Sequence, residues 1–151
     1  MFLWPVRVYY EDTDSGGVIY YANYLKYMER ARTEWLRSLG IEQDNLLAEQ
    51  GIIFAVHSVA LDFLKPGRFN ELLYTSVDIR RRRKVSITFA QQVMRPGSAT
   101  LESGSRQHNE TLREQMTVLC DGHVTIACLD AASMRPCHIP EHVLTEITRD
   151  S

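Results

Sequence analysis

This chain has little of most things that would mark it out, and the shortages narrow the field first. Cysteine is scarce: Cys120, Cys128 and Cys137 are the only three among 151 residues. An odd count without compact spacing is no disulfide framework, and there is no Cys-x-x-Cys and no Cys/His cluster at zinc-ligand spacing. If Cys120 and Cys128 share a strand, a rise of about 3.3 Å per residue separates them by about 26 Å, too far to bridge. Reduced, mostly buried thiols are expected. Glycine and proline number only eight and five, which excludes a collagenous or disordered chain. Long apolar runs are missing too. Uncharged stretches such as Ser15–Leu25 and Gly51–Leu61 fall short of the roughly 18 residues that span a bilayer. Met1–Arg7 has no basic segment ahead of an apolar one, so no signal peptide is expected; the expected compartment is the cytoplasm. Charge of one sign is lacking as well. Seventeen basic and 19 acidic residues leave a net charge of −2, which argues against a whole-domain electrostatic partner such as duplex DNA.

What is present is ordinary for a globular domain: 44% hydrophobic and 24% charged residues. A chain this long buries enough surface for a proper core, so one domain over 1–151 is expected. Trp4–Tyr10 alternates and reads as a strand. Glu11–Gly17 breaks the pattern as a loop. A long helix follows over about Asn23–Leu39, with Asn23 as N-cap and an apolar stripe of Tyr24, Tyr27, Met28, Ala31, Trp35 and Leu39. Arg30 and Glu34 are placed to pair on its outer face, and Gly40 suits its left-handed stop. A short helix over Asp44–Gln50 precedes strands at Ile52–Leu64, Leu72–Ile79, Val85–Val93 and Thr117–Leu129, the last with a bulge at Gly122. A basic run, Arg80–Lys84, falls at the junction of the second and third of these strands. A polar stretch lies between Arg95 and Gln115, and a short helix is expected after Pro140. One helix followed by a run of strands predicts an α+β fold with an antiparallel sheet covering the helix.

The densest chemistry sits before the long helix. Tyr10-Glu11-Asp12-Thr13-Asp14-Ser15-Gly16-Gly17 packs three carboxylates into four positions, and two glycines allow close backbone approach or positive φ. The helix start behind them offers unpaired N–H groups and the positive end of a dipole. A carboxylate beside such donors suits acyl transfer: the donors polarise a carbonyl oxygen while the acid attacks or activates water. Asp-Thr-Asp before a helix is also ordinary capping and turn chemistry, and spacing alone favours that reading over catalysis.

Tyr10–Arg32, YEDTDSGGVIYYANYLKYMERAR, closely resembles the signature of the 4-hydroxybenzoyl-CoA thioesterase-like hotdog proteins. Within them it is most similar to the Tol-Pal-associated acyl-CoA thioesterases of Gram-negative bacteria. Trp4–Tyr10, Arg32–Glu34, Phe63–Arg68 and Val124–Pro140 extend the match over nearly the whole chain, with about 97–115 as a hairpin insertion. The resemblance implies a hotdog fold, an antiparallel β-sheet wrapped around one long central α-helix. It implies a homo-oligomer, a dimer with active sites at the subunit interface that often pairs into a tetramer. It implies hydrolysis of an acyl-CoA thioester without metal or cofactor. By position, Asp14 is the catalytic carboxylate, the Tyr21 backbone N–H polarises the thioester carbonyl, and Gly17 lies close to the reacting group. Many Tol-Pal-associated members carry His where this chain has Tyr21, so no histidine side chain acts there. The Tol-Pal link is one of family; no residue pattern points to contact with those envelope proteins.

Other residues carry less. Glu29 reads as a surface or structural pair and Asp12 as a loop cap. Within Arg80–Lys84, Arg82 and Lys84 are candidates to bind CoA phosphates, with a solvated hairpin end as the alternative. No aromatic platform accompanies the run, so nucleic acid is not an expected partner. The five histidines show no ligand spacing. The expectation is therefore an acyl-CoA thioesterase, with acyl carrier protein as a further candidate partner. The rival is a non-catalytic acyl-CoA or acyl-carrier-protein binding module on the same fold. A hotdog dehydratase would need a different His/Asp or His/Glu arrangement.

Overall fold

The computed structural model describes residues 1–97 and 115–150. In chain order these are β1 (Phe2–Arg7), a 3-10 turn (Tyr10–Asp12), α1 (Asn23–Ser38), α2 (Gln43–Gln50), β2 (Ile52–Phe63), β3 (Leu72–Arg82), β4 (Ser86–Arg95), β5 (Thr117–Asp130) and α3 (Glu141–Asp150). The strands form one antiparallel sheet in the order β1-β3-β4-β5-β2. The fold is α+β, as expected.

The apolar stripe of α1 explains its seat. Tyr24, Tyr27, Met28, Ala31 and Trp35 recur at three- and four-residue steps, and all are buried. They meet inward residues of the sheet such as Leu73, Phe89, Val93 and Val124 in one cluster, with Trp35 edge-on to Phe89 at 5.5 Å. Each fully buried large side chain contributes about 1.5–3 kcal/mol. One polar network crosses this core. Arg32 Nη1 donates to Gln91 Oε1 at 2.8 Å, and Gln91 Nε2 donates to the carbonyls of Met28 and Ser76 at 3.1 and 3.2 Å. Burial holds the Arg32 pKa below its ordinary value.

Several boundaries differ from the sequence reading, each for a local reason. β1 stops at Arg7 because the buried Asp12 carboxylate accepts the Tyr9 N–H at 2.8 Å and turns the chain. Asn23 is not the N-cap. Ala22 holds that position with no side-chain cap, and the Asn23 side chain reaches back to the Asp12 carbonyl at 2.8 Å. Glu34 pairs with Arg37, one turn on, rather than with Arg30. β3 runs on through Arg82, so Arg80–Arg82 lie in the strand and the hairpin closes where the Arg83 N–H meets the Ser86 carbonyl at 2.8 Å. Gly122 stays in register opposite Leu61 and Gln91 and makes no bulge. A Cβ there would come within 2.9 Å of the Ala60 carbonyl, so close approach of β2 explains the glycine. The register shifts fall instead at Val56/Ser58, Ile79/Arg81 and Val93/Met94. Residues 98–114 of the expected insertion lie outside the described residues; they join strands that still pair at Arg95 and Thr117.

Candidate active site

The loop between β1 and α1 is built by its own backbone. Thr13 bridges Ile19, the Asp14 N–H donates to the Val18 carbonyl at 2.9 Å, and the Tyr20 N–H donates to the Asp12 carbonyl at 2.9 Å. The loop therefore folds back on itself, with Asp14 to Gly17 at its tip. Gly17 sits at φ +78°, and a Cβ there would meet nothing within 4 Å, so backbone conformation rather than space requires glycine there.

A second loop braces the first. The Ile19 N–H donates to the Gly67 carbonyl at 2.9 Å, and Val18 bridges Arg68. A side chain at Gly67 would collide with Ile19. Arg95 holds this brace from β4. Its guanidinium donates to both Glu71 carboxylate oxygens, at 2.5 and 2.8 Å, and to the Pro66 carbonyl at 3.0 Å. The Arg68 N–H donates to Glu71 at 2.8 Å. The Arg95 guanidinium keeps the Glu71 carboxyl below its ordinary pKa of 4.5.

Asp14 is exposed, and its two oxygens differ. Oδ1 accepts the Gly16 N–H at 2.8 Å and the Val18 N–H at 3.4 Å, an Asx turn that fixes the carboxylate. Oδ2 has no hydrogen-bond partner among the described residues, so it is available to a carbonyl carbon or a water. At the start of α1 the Asn23 N–H is paired to the Tyr20 carbonyl at 2.9 Å. The Tyr21 N–H, just ahead of the Ala22 cap of α1, has no backbone acceptor among the described residues.

Beside that helix start lies a cleft of about 260 Å³, lined by Ile19, Tyr21, Tyr24, Phe63, Leu64, Lys65 and Pro66. Phe63 stands edge-on to Tyr21 at 6.1 Å and tilted against Tyr24 at 5.8 Å. Burial pushes the Tyr24 hydroxyl pKa up. The structure thus brings Tyr21 to the cleft wall and Gly17 and Asp14 to the neighbouring loop tip. It does not bring Arg82 and Lys84 to them within one chain. Arg82 ends β3 ten residues beyond Leu72, about 33 Å away at strand rise, and one of its N–H groups reaches Thr148 of α3 at 3.2 Å. Asp12 is a buried turn carboxylate, and Glu29 bonds Thr33 on the helix surface at 2.8 Å. Sequence reading gave Phe63 and Gly67 only as part of the Phe63–Arg68 match, with no role, and missed the Glu71–Arg95 brace. Glu71 lies just before β3 and Arg95 ends β4, and residues 24 apart leave no local trace. No group of three or more potential metal ligands gathers among the described residues.

A long helix laid across an antiparallel sheet, with a carboxylate loop at the helix start, defines a class. The chain belongs to the thioesterase superfamily, whose family model matches residues 16–102, and its architecture is the hotdog fold. That match begins just past Asp14, so it does not itself assign a role to that residue. Among curated relatives, the acyl-CoA thioesterase YbgC of Haemophilus influenzae is 38% identical over 142 residues, 94% of this chain and 90% of that protein. The acyl-CoA thioester hydrolase YbgC of Escherichia coli O6:H1 is 34% identical over 146 residues, 97% of this chain and 95% of that protein. Among solved structures, a 1,4-dihydroxy-2-naphthoyl-CoA thioesterase from Synechocystis superposes with a TM-score of 0.79 at 18% identity, covering 97% of this chain and 95% of that one.

Proposed function

We propose that the chain hydrolyses an acyl-CoA thioester to a free acid and CoA. Two observations support this: a carboxylate with one oxygen held and one open at a loop tip (Asp14), and a cleft beside the start of α1 whose wall includes Tyr21. The thioester carbonyl oxygen accepts the Tyr21 N–H. Asp14 Oδ2 then either attacks the carbonyl carbon, expelling CoA thiolate and leaving an anhydride for water to open, or takes a proton from the attacking water. An oxyanion donor of this kind is worth about 3–4 kcal/mol in the transition state. Gly17 lies close to the reacting group and leaves it room.

The working unit is a dimer. β2 is a twelve-residue edge strand without proline, with Val56, Val59 and Phe63 exposed; edges this long are normally covered. Two copies of β2 pairing antiparallel about a two-fold axis place the Ile52 end of one beside the Phe63 end of the other. The β3–β4 hairpin shares the Ile52 end, through Asp130, Ala127 and Ser86. Arg82 and Lys84 of one copy then serve the partner's site, gripping CoA phosphates. An acyl group on acyl carrier protein is a second candidate donor.

A panel of acyl-CoAs and acyl-acyl carrier protein, each followed with a thiol reagent, tests the reading. Thiol release from at least one member supports it. Saturable binding with no release from any member contradicts it and identifies a binding module.

A further inference from the structure

The C-terminal part of the chain holds a feature that thioester hydrolysis does not use. Beyond β5 the chain turns through Asp130–Met134, where Asp130 accepts N–H groups from Ala132 and Ser133 at 3.1 and 2.8 Å. It then returns antiparallel, with Pro136 bridging Leu129. The Asp130 N–H meets the Arg135 carbonyl and the Cys137 N–H meets the Cys128 carbonyl, both at 2.9 Å. Cys128 and Cys137 are therefore direct cross-strand neighbours. They share one backbone bond, the Cys128 N–H donating instead to the Val85 carbonyl at 2.7 Å; directly opposed antiparallel residues have Cα atoms about 4.5–5.5 Å apart, inside the span of about 4.4–6.8 Å that a disulfide accepts. Their sulfurs are 3.6 Å apart. Cys128 is buried and Cys137 half-buried, while Cys120 is buried eight residues away along β5.

We propose that Cys128 and Cys137 form a reversible thiol–disulfide site that locks the segment leading into α3 onto the end of β5. The oxidant is a low-molecular-weight disulfide. The Cys137 thiolate, the more accessible of the two, attacks one oxidant sulfur; the oxidant S–S bond breaks and one small thiol leaves with a proton. Cys128 then loses its proton and attacks the Cys137 sulfur, and the second small thiol leaves. Two electrons pass from the cysteine pair to the oxidant. Burial raises the Cys128 thiol above its ordinary range, so the second step, which needs the Cys128 thiolate, quickens as pH rises. The bond would pin a segment whose helix is otherwise tied to α1 by Trp35 Nε1 donating to Asp150 at 2.7 Å.

The test uses the full chain equilibrated in glutathione buffers of stepped ratio, quenched with a maleimide in denaturant and weighed intact. Two of the three thiols are expected to vanish together, with loss of two hydrogens and no retained glutathione. The melting temperature should rise by roughly 5 °C. Cys120→Ser should leave this unchanged, and Cys137→Ser, at a half-buried position, should abolish it. Three thiols titrating at every ratio, a retained glutathione on Cys137, a bond between chains, or a loss that depends on Cys120 would each overturn the proposal.

Discussion

The proposed chemistry divides between the Asp14 side chain and the Tyr21 backbone, and that division can be checked. Asp14 keeps its position through Oδ1, which the Gly16 and Val18 N–H groups hold; asparagine preserves that acceptor while removing the negative charge. Tyr21 contributes its N–H, while its ring packs on Phe63. Tyr21→Ala is therefore expected to keep kcat within about threefold and to raise KM. Tyr21→Pro removes the donor and should lower kcat by about 10²–10³-fold. Steady-state kinetics on the two variants separates the roles, and a kcat lost equally in both would contradict the backbone assignment. At this scale the sequence shows which candidates are neighbours along the chain, since Asp14, Gly17 and Tyr21 fall within one loop and the approach to α1. It was silent on which Asp14 oxygen is free, because that depends on how the loop closes.

At the scale of elements, the site depends on a loop it does not belong to. The Gly67 carbonyl and Arg68 hold the Asp14 loop, and Glu71 with Arg95 holds that brace. Removing the Glu71 charge in Glu71→Gln should cost about 1–2 kcal/mol, measured as a shift in the urea midpoint. The sign of its pH dependence is fixed. Because the Glu71 pKa is lowered on folding, its contribution is full above the ordinary value of 4.5 and disappears as pH falls through the lowered one. The stability gap between wild type and Glu71→Gln should therefore narrow in acid; a gap constant with pH would show that the ion pair is not its source. The periodicity of α1 and the alternation of the strands were readable because they follow from burial of one face. The misplaced N-cap and the absent bulge at Gly122 have another cause. Asn23 is drawn away by the Asp12 carbonyl, and Gly122 answers to the close approach of β2; both are tertiary effects.

For the whole molecule, the proposed unit of two chains rests on the edge position of β2 and on the separation of the basic hairpin from the acid loop. Val59 lies near the middle of β2, so Val59→Lys brings two like charges together across the proposed two-fold. Sedimentation should show a shift from dimer toward monomer, with activity falling in parallel; an unchanged dimer would remove this edge as the interface. Lys84→Glu should raise KM for acyl-CoA by about tenfold while kcat holds, since a phosphate contact distant from the carbonyl supports binding alone. An unchanged KM would return Lys84 to a solvated hairpin end. The fold class was readable in the order of elements and the family resemblance, whereas the proposed pairing of two copies depends on which strand is left at an edge.

The central claim is that the Asp14 carboxylate performs the hydrolysis. Its most direct test is a single-turnover measurement of CoA thiol release by Asp14→Asn against wild type, on the best substrate of the panel, with melting temperatures taken on both. The account predicts a loss of release of at least about 10³-fold at a melting temperature within a few degrees of wild type. Release within tenfold of wild type by the folded variant would contradict it.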